Sequence, residues 1–581
     1  MRKICTILLM SMMVLGAIAQ SNYFFDMDAL VESEGLYLPQ NKPNPFEGSA
    51  DIYLAVVDEA ELSLTAADVY GNIEAQYRTS LAPGVHRLRI TLRTKGTHVL
   101  GVHQNGKMQS IVLFCHAGGA SNRIDYCEFV EPIDLELFHQ LLNKDKDEDY
   151  VAYGAIQSAD HSYAAYAGNF RVALSLSPFT LNQFEQGYTF KVGDKTATTP
   201  AELQQIYKEL GSTEMYVRLA TKRHKTYKAD GTLDNTTDGK PDENANVHTF
   251  DQVMQTCRIA ASLNIPINPE VMCAYIYMDM DGTQAPRFYK TDYPELYASN
   301  PTWAAILQNG NAKWEDLSLD DICTVLEIYG EFVADSILAT GCTVNDWNLG
   351  NEANFGFAGI GIGTPNSFDQ KLAKAGATKR YVSSIFSLWW LKKHVWRHNV
   401  KQYAAVKRGI LKAYAKAGKD ASSVRFSTHI ATVTSTPRAS ASFFRYMTKH
   451  GYSVDVAGIS YYPSAPAMSF NKKKMLTKTV TRINKKCDVP VFIGEFSYPS
   501  QDMVGPFAGW NSQLGGYKKD QQGQADIYRD VITWGKEHGL IGIRYWAPDY
   551  EGEWYPMSMF TFGNKVGTAK TILLNHKEIV Q

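Results

Sequence analysis

The chain has 581 residues, 45% of them hydrophobic, and its 58 Lys and Arg against 60 Asp and Glu leave a net charge of −2. That length is too great for one small domain and suits two or three, one of them large. Near-neutral charge without a long run of either sign excludes a polybasic nucleic-acid or membrane-surface partner and a charged tail.

The first 19 residues read as a secretory signal. Arg2 and Lys3 form a charged start, Ile7 to Ile18 an apolar stretch, and Ala17-Ile18-Ala19 a small-residue cleavage site. The apolar run is short and polar Gln20 and Ser21 follow it, which disfavours a membrane anchor. No other stretch is apolar enough to span a bilayer. An exported protein, periplasmic or extracellular, is the expectation. Cleavage removes Cys5 and leaves seven cysteines, at 115, 127, 257, 273, 323, 342 and 487. That is a sparse and odd number, so no disulfide framework is expected, although Cys115 and Cys127 could pair. Neither Cys-x-x-Cys nor His-Glu-x-x-His occurs, so zinc has little support.

Residues 22–130 read as a small all-β sandwich. Leu88, Ile90 and Leu92 alternate with Arg87, Arg89 and Thr91, the period of a half-buried strand. Asn105-Gly106, Pro83-Gly84 and Tyr70-Gly71 supply turns. Such a module could serve as a spacer or bind glycan; no exposed aromatic trio stands out, which favours the spacer. Residues 131–168, with the charged stretch Lys144–Asp149, read as a partly helical linker.

From 169 to 581 the rhythm becomes alternating strand and helix. Strands are predicted at 170–176, 215–220, 265–273, 344–351, 424–430, 454–462, 489–495 and 540–546. Amphipathic helices carry Leu203, Ile206, Tyr207 and Leu210, then Phe250, Val253, Met254, Cys257 and Ala261, then Tyr403, Val406, Ile410 and Tyr414 up to Gly418. Ser318 with Asp321 caps a helix running to Gly341, and a final helix covers about 568–580. The Asp/Asn-rich stretch from Asp230 to Asn246 could hold calcium, with a solvated loop as the plainer reading. Eight strand–helix repeats point to a (β/α)8 TIM barrel. A doubly wound sheet would offer a Gly-rich phosphate turn after its first strand, and Ser175-Leu176-Ser177-Pro178 is not one.

Two segments then stand out. Trp347-Asn348-Leu349-Gly350-Asn351-Glu352 and Val491-Phe492-Ile493-Gly494-Glu495-Phe496 each bring a glutamate to the end of an apolar strand. A carboxylate is costly to bury there without a purpose. In a barrel both would stand at the C-terminal mouth, after strands four and seven, where active sites lie. Glycoside hydrolysis needs two such carboxyls, one as proton donor and one as nucleophile or base. Either alone could be a paired structural carboxylate; the two together are far more specific.

These segments resemble the large clan of retaining (β/α)8 glycoside hydrolases, and within it family 53, the arabinogalactan endo-β-1,4-galactanases. The resemblance runs from about Arg171 to Gly563. It rests on Met215–Leu219, on Leu349–Glu352 with Gly356, on His429, on Asp455–Pro463, on Pro490–Glu495 with Tyr498-Pro499, and on Tyr545–Pro548. It implies that Glu352 is the general acid and then base, with a raised pKa, and that Glu495 is the nucleophile. It further implies that Arg218 holds Glu495 ionised and that Tyr461 or Tyr462 donates to the same carboxylate. Asn351 would bond the sugar 2-hydroxyl, His429 would close strand five at the site, and Trp546 would form the floor under the sugar. Plainer readings stand beside these: Arg218 in an ordinary ion pair, Trp546 as barrel core, His429 as a satisfied interior histidine. Trp389, Trp390 and Trp396 could line a cleft or pack a helix face.

The expectation is thus a secreted, monomeric retaining endo-β-glycanase with a polysaccharide substrate and no cofactor or metal. Galactan side chains are the first substrate. After strand three the galactanases carry His-Tyr-Ser-Asp, whereas Asn268–Tyr275 holds no histidine, and Gly356–Lys379 is long and Gly-rich. Those loops shape sugar subsites, so β-glucan or mannan stays open as substrate. A non-catalytic glycan-binding protein and a transglycosidase are the remaining alternatives.

Overall fold

The computed structural model describes residues 27–146, 170–361, 388–432, 436–465 and 472–581, apart from positions 40, 42–43, 69–70, 238–239, 243 and 280–281. The predicted signal segment 1–19 and the connection 147–169 lie outside the described residues. The chain divides into two compact units, the first made mainly of residues up to about 148.

The first unit is the β-sandwich. Phe46–Val56 pairs with Gly84–Thr91, which pairs with Arg123–Glu131, all antiparallel. Glu61–Asp68 lies between Ile73–Ser80 and Gly96–Gln104, and Gly96–Gln104 pairs with Lys107–Gly118. The two sheets join where Phe46–Gly48 runs parallel to Cys115–Gly118. Alternation does the rest: Leu88 and Ile90 point into a shared core with Ile52, Leu64, Leu100 and Leu113. Arg87 and Arg89 face outward and both pair with Asp51. Asn105 and Gly106 turn between strands with φ of 49° and 75°, as an Asn-Gly hairpin requires. Cys115 and Cys127 are free; each thiol lies against a carbonyl of its own strand, Ala117 and Asp125. The predicted linker begins as a helix, Leu135–Lys146.

The second unit is the barrel. Its strands are Arg171–Ala173, Met215–Leu219, Ile267–Val271, Trp347–Leu349, Phe426–Ala431, Val456–Tyr461, Val491–Phe496 and Leu540–Tyr545. Strands two to eight and then one pair in parallel in that order. Side chains lace the gap between strands one and two: the Ser212 hydroxyl donates to the Leu174 carbonyl (2.7 Å), and the Ser175 hydroxyl accepts from the Tyr216 amide (3.2 Å). The outer helices begin where the sequence places caps. Thr199 and Glu202 form a capping box on Pro200–Glu209, and Ser318 accepts from the Asp321 amide at the start of Leu319–Leu338. Helix Arg397–Lys416 ends before Gly418, at φ 66°. The predicted last helix is two short ones, Thr571–Leu574 and His576–Val580, preceded by a strand, Val566–Ala569, that pairs with Thr189–Val192.

Charge fills the N-terminal end of the barrel. Buried Asp346 pairs with Arg171 and with Arg425 (3.2 Å), and buried Glu214 pairs with Arg171 (3.5 Å) and accepts from Asn345 (2.9 Å). The stretch 230–246 folds around buried Asn246, which accepts from the Thr226 amide (2.8 Å) and donates to the Asp234 carbonyl (3.0 Å). Among the described residues no group of three His, Cys, Asp or Glu side chains could hold a metal, and no helix is long and apolar enough to cross a membrane.

Candidate active site

Seven of the barrel's loops and strand ends deliver polar side chains to one buried cluster at the C-terminal mouth. In strand two, residues 216 and 218 share the inward face, so Tyr216 and Arg218 both enter the barrel. Register then sets the layer: Arg218 pairs with Glu270 of strand three, and Glu270 with Asn348 of strand four. Arg218 Nε lies 2.6 Å from Glu270 Oε1. Its Nη2 donates to Glu495 and, at 2.8 Å, to Asn351 Oδ1. Both Arg218 and Glu270 are almost wholly buried. Burial pushes the Glu270 carboxyl up, but Arg218 and His429 outweigh it and hold the group at about 2. Glu270 is therefore a fixed anion beneath the site.

Glu495 closes strand seven. Besides Arg218, it accepts from the Tyr462 hydroxyl (2.6 Å), and His429 Nε2 lies 3.9 Å away. A β-bulge where strand six pairs with strand seven sets Ser460 opposite Glu495, with Tyr462 just past the strand end. Burial, and then the charge of Glu495, pushes the Tyr462 phenol well above its usual range, so it stays a donor. Tyr461 does not join it. Its hydroxyl donates to the Lys472 carbonyl (3.2 Å) and its ring lies 6.3 Å from Phe496. Period two sends 461 and 462 to opposite sides of the sheet, and only 462 faces the mouth.

Glu352 sits one residue past Asn351, after Gly350 at φ 81°, and is itself left-handed (φ 46°, ψ 46°). Cys273 after strand three and Ala547 after strand eight are left-handed too. Strain of this kind in non-glycine residues gathers at functional sites. The Glu352 amide donates to His429 Nε2 (3.3 Å), which leaves Nδ1 to donate to Glu270 (3.1 Å). His429 thus stands between both glutamates. Its ring has room because strand six carries glycine: a Cβ on Gly458 would lie 2.3 Å from His429 Cβ. Asn351 is spoken for by Arg218 and the Met278 carbonyl. The half-buried Trp546 ring lies 4.1 Å from the Arg218 guanidinium, a cation–π contact that fixes its plane at the mouth.

Several members were not singled out from sequence. Glu270 carries the same signal as Glu495, a carboxylate inside an apolar strand, and Asn348 joins it at 3.1 Å. Tyr216 donates to Glu270. The rest come from loops, where no periodicity points to them. His248 packs beside the half-buried Tyr277 (5.4 Å), and burial, then Arg218, pushes its pKa well below the usual range. Trp510 and Trp554 lie 5.3 Å and 5.6 Å from the Tyr462 ring, with Phe507 against both tryptophans. Phe179 and Tyr550 stack at 4.0 Å. Trp510, Trp554, Phe507 and Tyr550 pack with Tyr462, the donor to Glu495, as one aromatic wall. Trp396 is buried and donates to the Asn354 carbonyl (2.8 Å), so it braces the loop after Glu352; the side chains of Trp389 and Trp390 lie outside the described residues.

Residues 301–578, which span strands four to eight, match the profile of Glycosyl hydrolase family 53. No curated protein matches the chain. Among solved structures, a fungal β-1,4-galactanase is similar at 14% identity, over 70% of this chain and 99% of its own, with a TM-score of 0.47. The GH53 catalytic domain of Ignisphaera aggregans is similar at 16% identity, over 73% and 99%, with a TM-score of 0.48. Xylanase 10C of Cellvibrio japonicus is similar at 12% identity, over 94% and 92%, with a TM-score of 0.37.

Proposed function

We propose that the chain, a glycoside hydrolase of the family 53 type, is an exported endo-β-glycanase that cleaves β-1,4-galactan by double displacement. The observation that carries this reading is the single network in which Arg218, Tyr462 and His429 gather on Glu495 while the Glu352 backbone bonds the same histidine. Glu495 attacks the anomeric carbon as Glu352 protonates the departing oxygen, giving a glycosyl-enzyme. Glu352 then takes a proton from water, which attacks the same carbon and frees Glu495. Arg218 and Tyr462 hold the nucleophile's two oxygens in place for attack and receive it again on release. Trp546 and the aromatic wall offer apolar faces to pyranose rings. Export fits the apparent signal at 1–19, because a polysaccharide is met outside the cell.

The test is reducing-end release from galactan, arabinogalactan, β-glucans, mannan and xylan, with Glu352→Gln and Glu495→Gln beside wild type. Activity on galactan, lost by at least about 10³-fold in both variants, supports the reading. Strong activity on another glycan with the same losses keeps the mechanism and replaces the substrate. The histidine-free segment Asn268–Tyr275 is the specific reason to include those other glycans. NMR of the first-formed product anomer reports retention or inversion.

A further inference from the structure

The catalytic face carries a second hollow that the chemistry above leaves unused. A cavity of about 470 Å³ opens between Ala285–Tyr289 and Gly310–Glu315, within the long insertion after strand three. Small-molecule sites occupy roughly 300–1,000 Å³. Its floor is apolar, with Phe288, Leu307 and Trp314 buried. Its rim is polar and open to solvent: Asn311, Lys313 and Glu315 are exposed, and Tyr289 is 39% exposed.

Two bonds fix where this cavity lies. The Arg287 amide donates to Thr221 Oγ1 (3.3 Å), just past the end of strand two. Trp314 Nε1 donates to the Ala358 carbonyl (2.9 Å), in the loop that begins at Glu352. A Cβ on Gly359 would lie 2.7 Å from the Trp314 ring, so that loop rests directly on the cavity wall. Aromatic groups lead from the cavity toward the catalytic cluster. Tyr289 meets Tyr275 edge to face at 5.7 Å, and Tyr277, two residues on, lies 5.7 Å from the Arg218 guanidinium.

The chemistry gives this side a role. An acid protonates the leaving oxygen, so the departing part of a glycan runs out past the acid and away from the nucleophile. Glu352 follows strand four, the neighbour of strand three in the barrel, and Glu495 follows strand seven, across the barrel from strand three. We infer that the cavity is a remote subsite for the leaving-group portion of the polysaccharide, several units from the cleavage point. The Tyr289 ring supplies an apolar face for a neutral pyranose, and the polar rim supplies partners for its hydroxyls. The inference rests on Glu352 being the acid.

Wild type, Tyr289→Ala and the cavity-filling Ala312→Trp are compared on β-1,4-galacto-oligosaccharides of rising length and on an aryl β-galactobioside, whose leaving group ends at the cleavage point. If the panel above selects another glycan, the series is built from that one. The expected result is that both variants match wild type on the aryl substrate and lose about 10-fold in kcat/KM, through KM, beyond a threshold length. Equal losses on both kinds of substrate, or no loss on the longest, overturn the subsite. A wild type inactive on every glycan sinks the functional reading and the subsite with it. An active wild type beside unimpaired variants removes the subsite alone.

Discussion

Tyr461 and Tyr462 are neighbours with opposite duties, and the pair tests the site at the level of single atoms. The Tyr462 hydroxyl donates to Glu495 beside Arg218, while that of Tyr461 is bonded to a backbone carbonyl on the far side of the sheet. A donor aimed at a reacting carboxylate in a dry site contributes about 10²-fold to rate. Tyr462→Phe should therefore lower kcat by roughly that factor. Tyr461→Phe should leave kcat within about two-fold, since the bond it loses is an ordinary hydroxyl–carbonyl one. Steady-state kinetics on one soluble substrate decides it. Equal effects of the two substitutions would mean that the donor to Glu495 is not part of catalysis.

Between strands and helices, packing is what aims the loop that bears Glu352. Helices Leu319–Leu338 and Arg397–Lys416 flank strand four and approach closely through reciprocal glycines. A Cβ on Gly409 would lie 2.0 Å from the Glu327 carbonyl, and one on Gly330 would lie 2.6 Å from that of Val406. Backbone cannot yield as a side chain tip can. Gly409→Ala should destabilise the protein by about 1–3 kcal/mol despite alanine's higher helix propensity, read as a lower melting temperature. An unchanged or raised melting temperature would mean the helices separate freely. This scale is also where the sequence was most legible. All eight barrel strands were predicted close to where they lie, because apolar runs bounded by caps and glycines report local physics. Arg218, Glu352, Glu495 and Tyr462 were legible because they stand at the ends of those runs. Glu270 was legible in principle, as a carboxylate inside strand three, yet its partners Arg218 and His429 become visible only through register across three strands. Trp510, Trp554, Phe507 and the cavity near Tyr289 come from long loops, which carry no period to read. The end of the chain misled for a related reason: Val566–Ala569 is a strand only because Thr189–Val192, far away in sequence, pairs with it.

Taken as a whole, the barrel is filled at both ends with ions where many cores hold only hydrocarbon, and this ties its stability to pH. Two buried carboxyls act in opposite directions. Burial raises Asp549, which accepts from the Ser177 amide, from its ordinary 3.8 to about 6. A carboxyl raised on folding stabilises below its unfolded pKa, and that contribution is lost as pH rises through about 6. Glu270 is the reverse. Its partners Arg218 and His429 overcome burial and lower it from 4.5 to about 2, so the unfolded chain binds the extra proton between those values. The corresponding stability is present above 4.5 and disappears as pH falls toward 2; a shift of this size amounts to about 3 kcal/mol. Glu270→Gln should remove the dependence. It takes from buried Arg218 one of its two carboxylate partners, leaving Glu495, so stability near neutral pH should fall by about 3 kcal/mol. Below pH 4.5 its curve should run shallower than wild type by about 1.4 kcal/mol per pH unit, so that the two converge toward pH 2. Denaturant unfolding from pH 2.5 to 7, with Asp549→Asn alongside, separates the windows: Asp549→Asn should alter the slope only between about 4 and 6. Parallel curves for wild type and Glu270→Gln below pH 4.5 would show that Glu270 is not held ionised by Arg218 and His429.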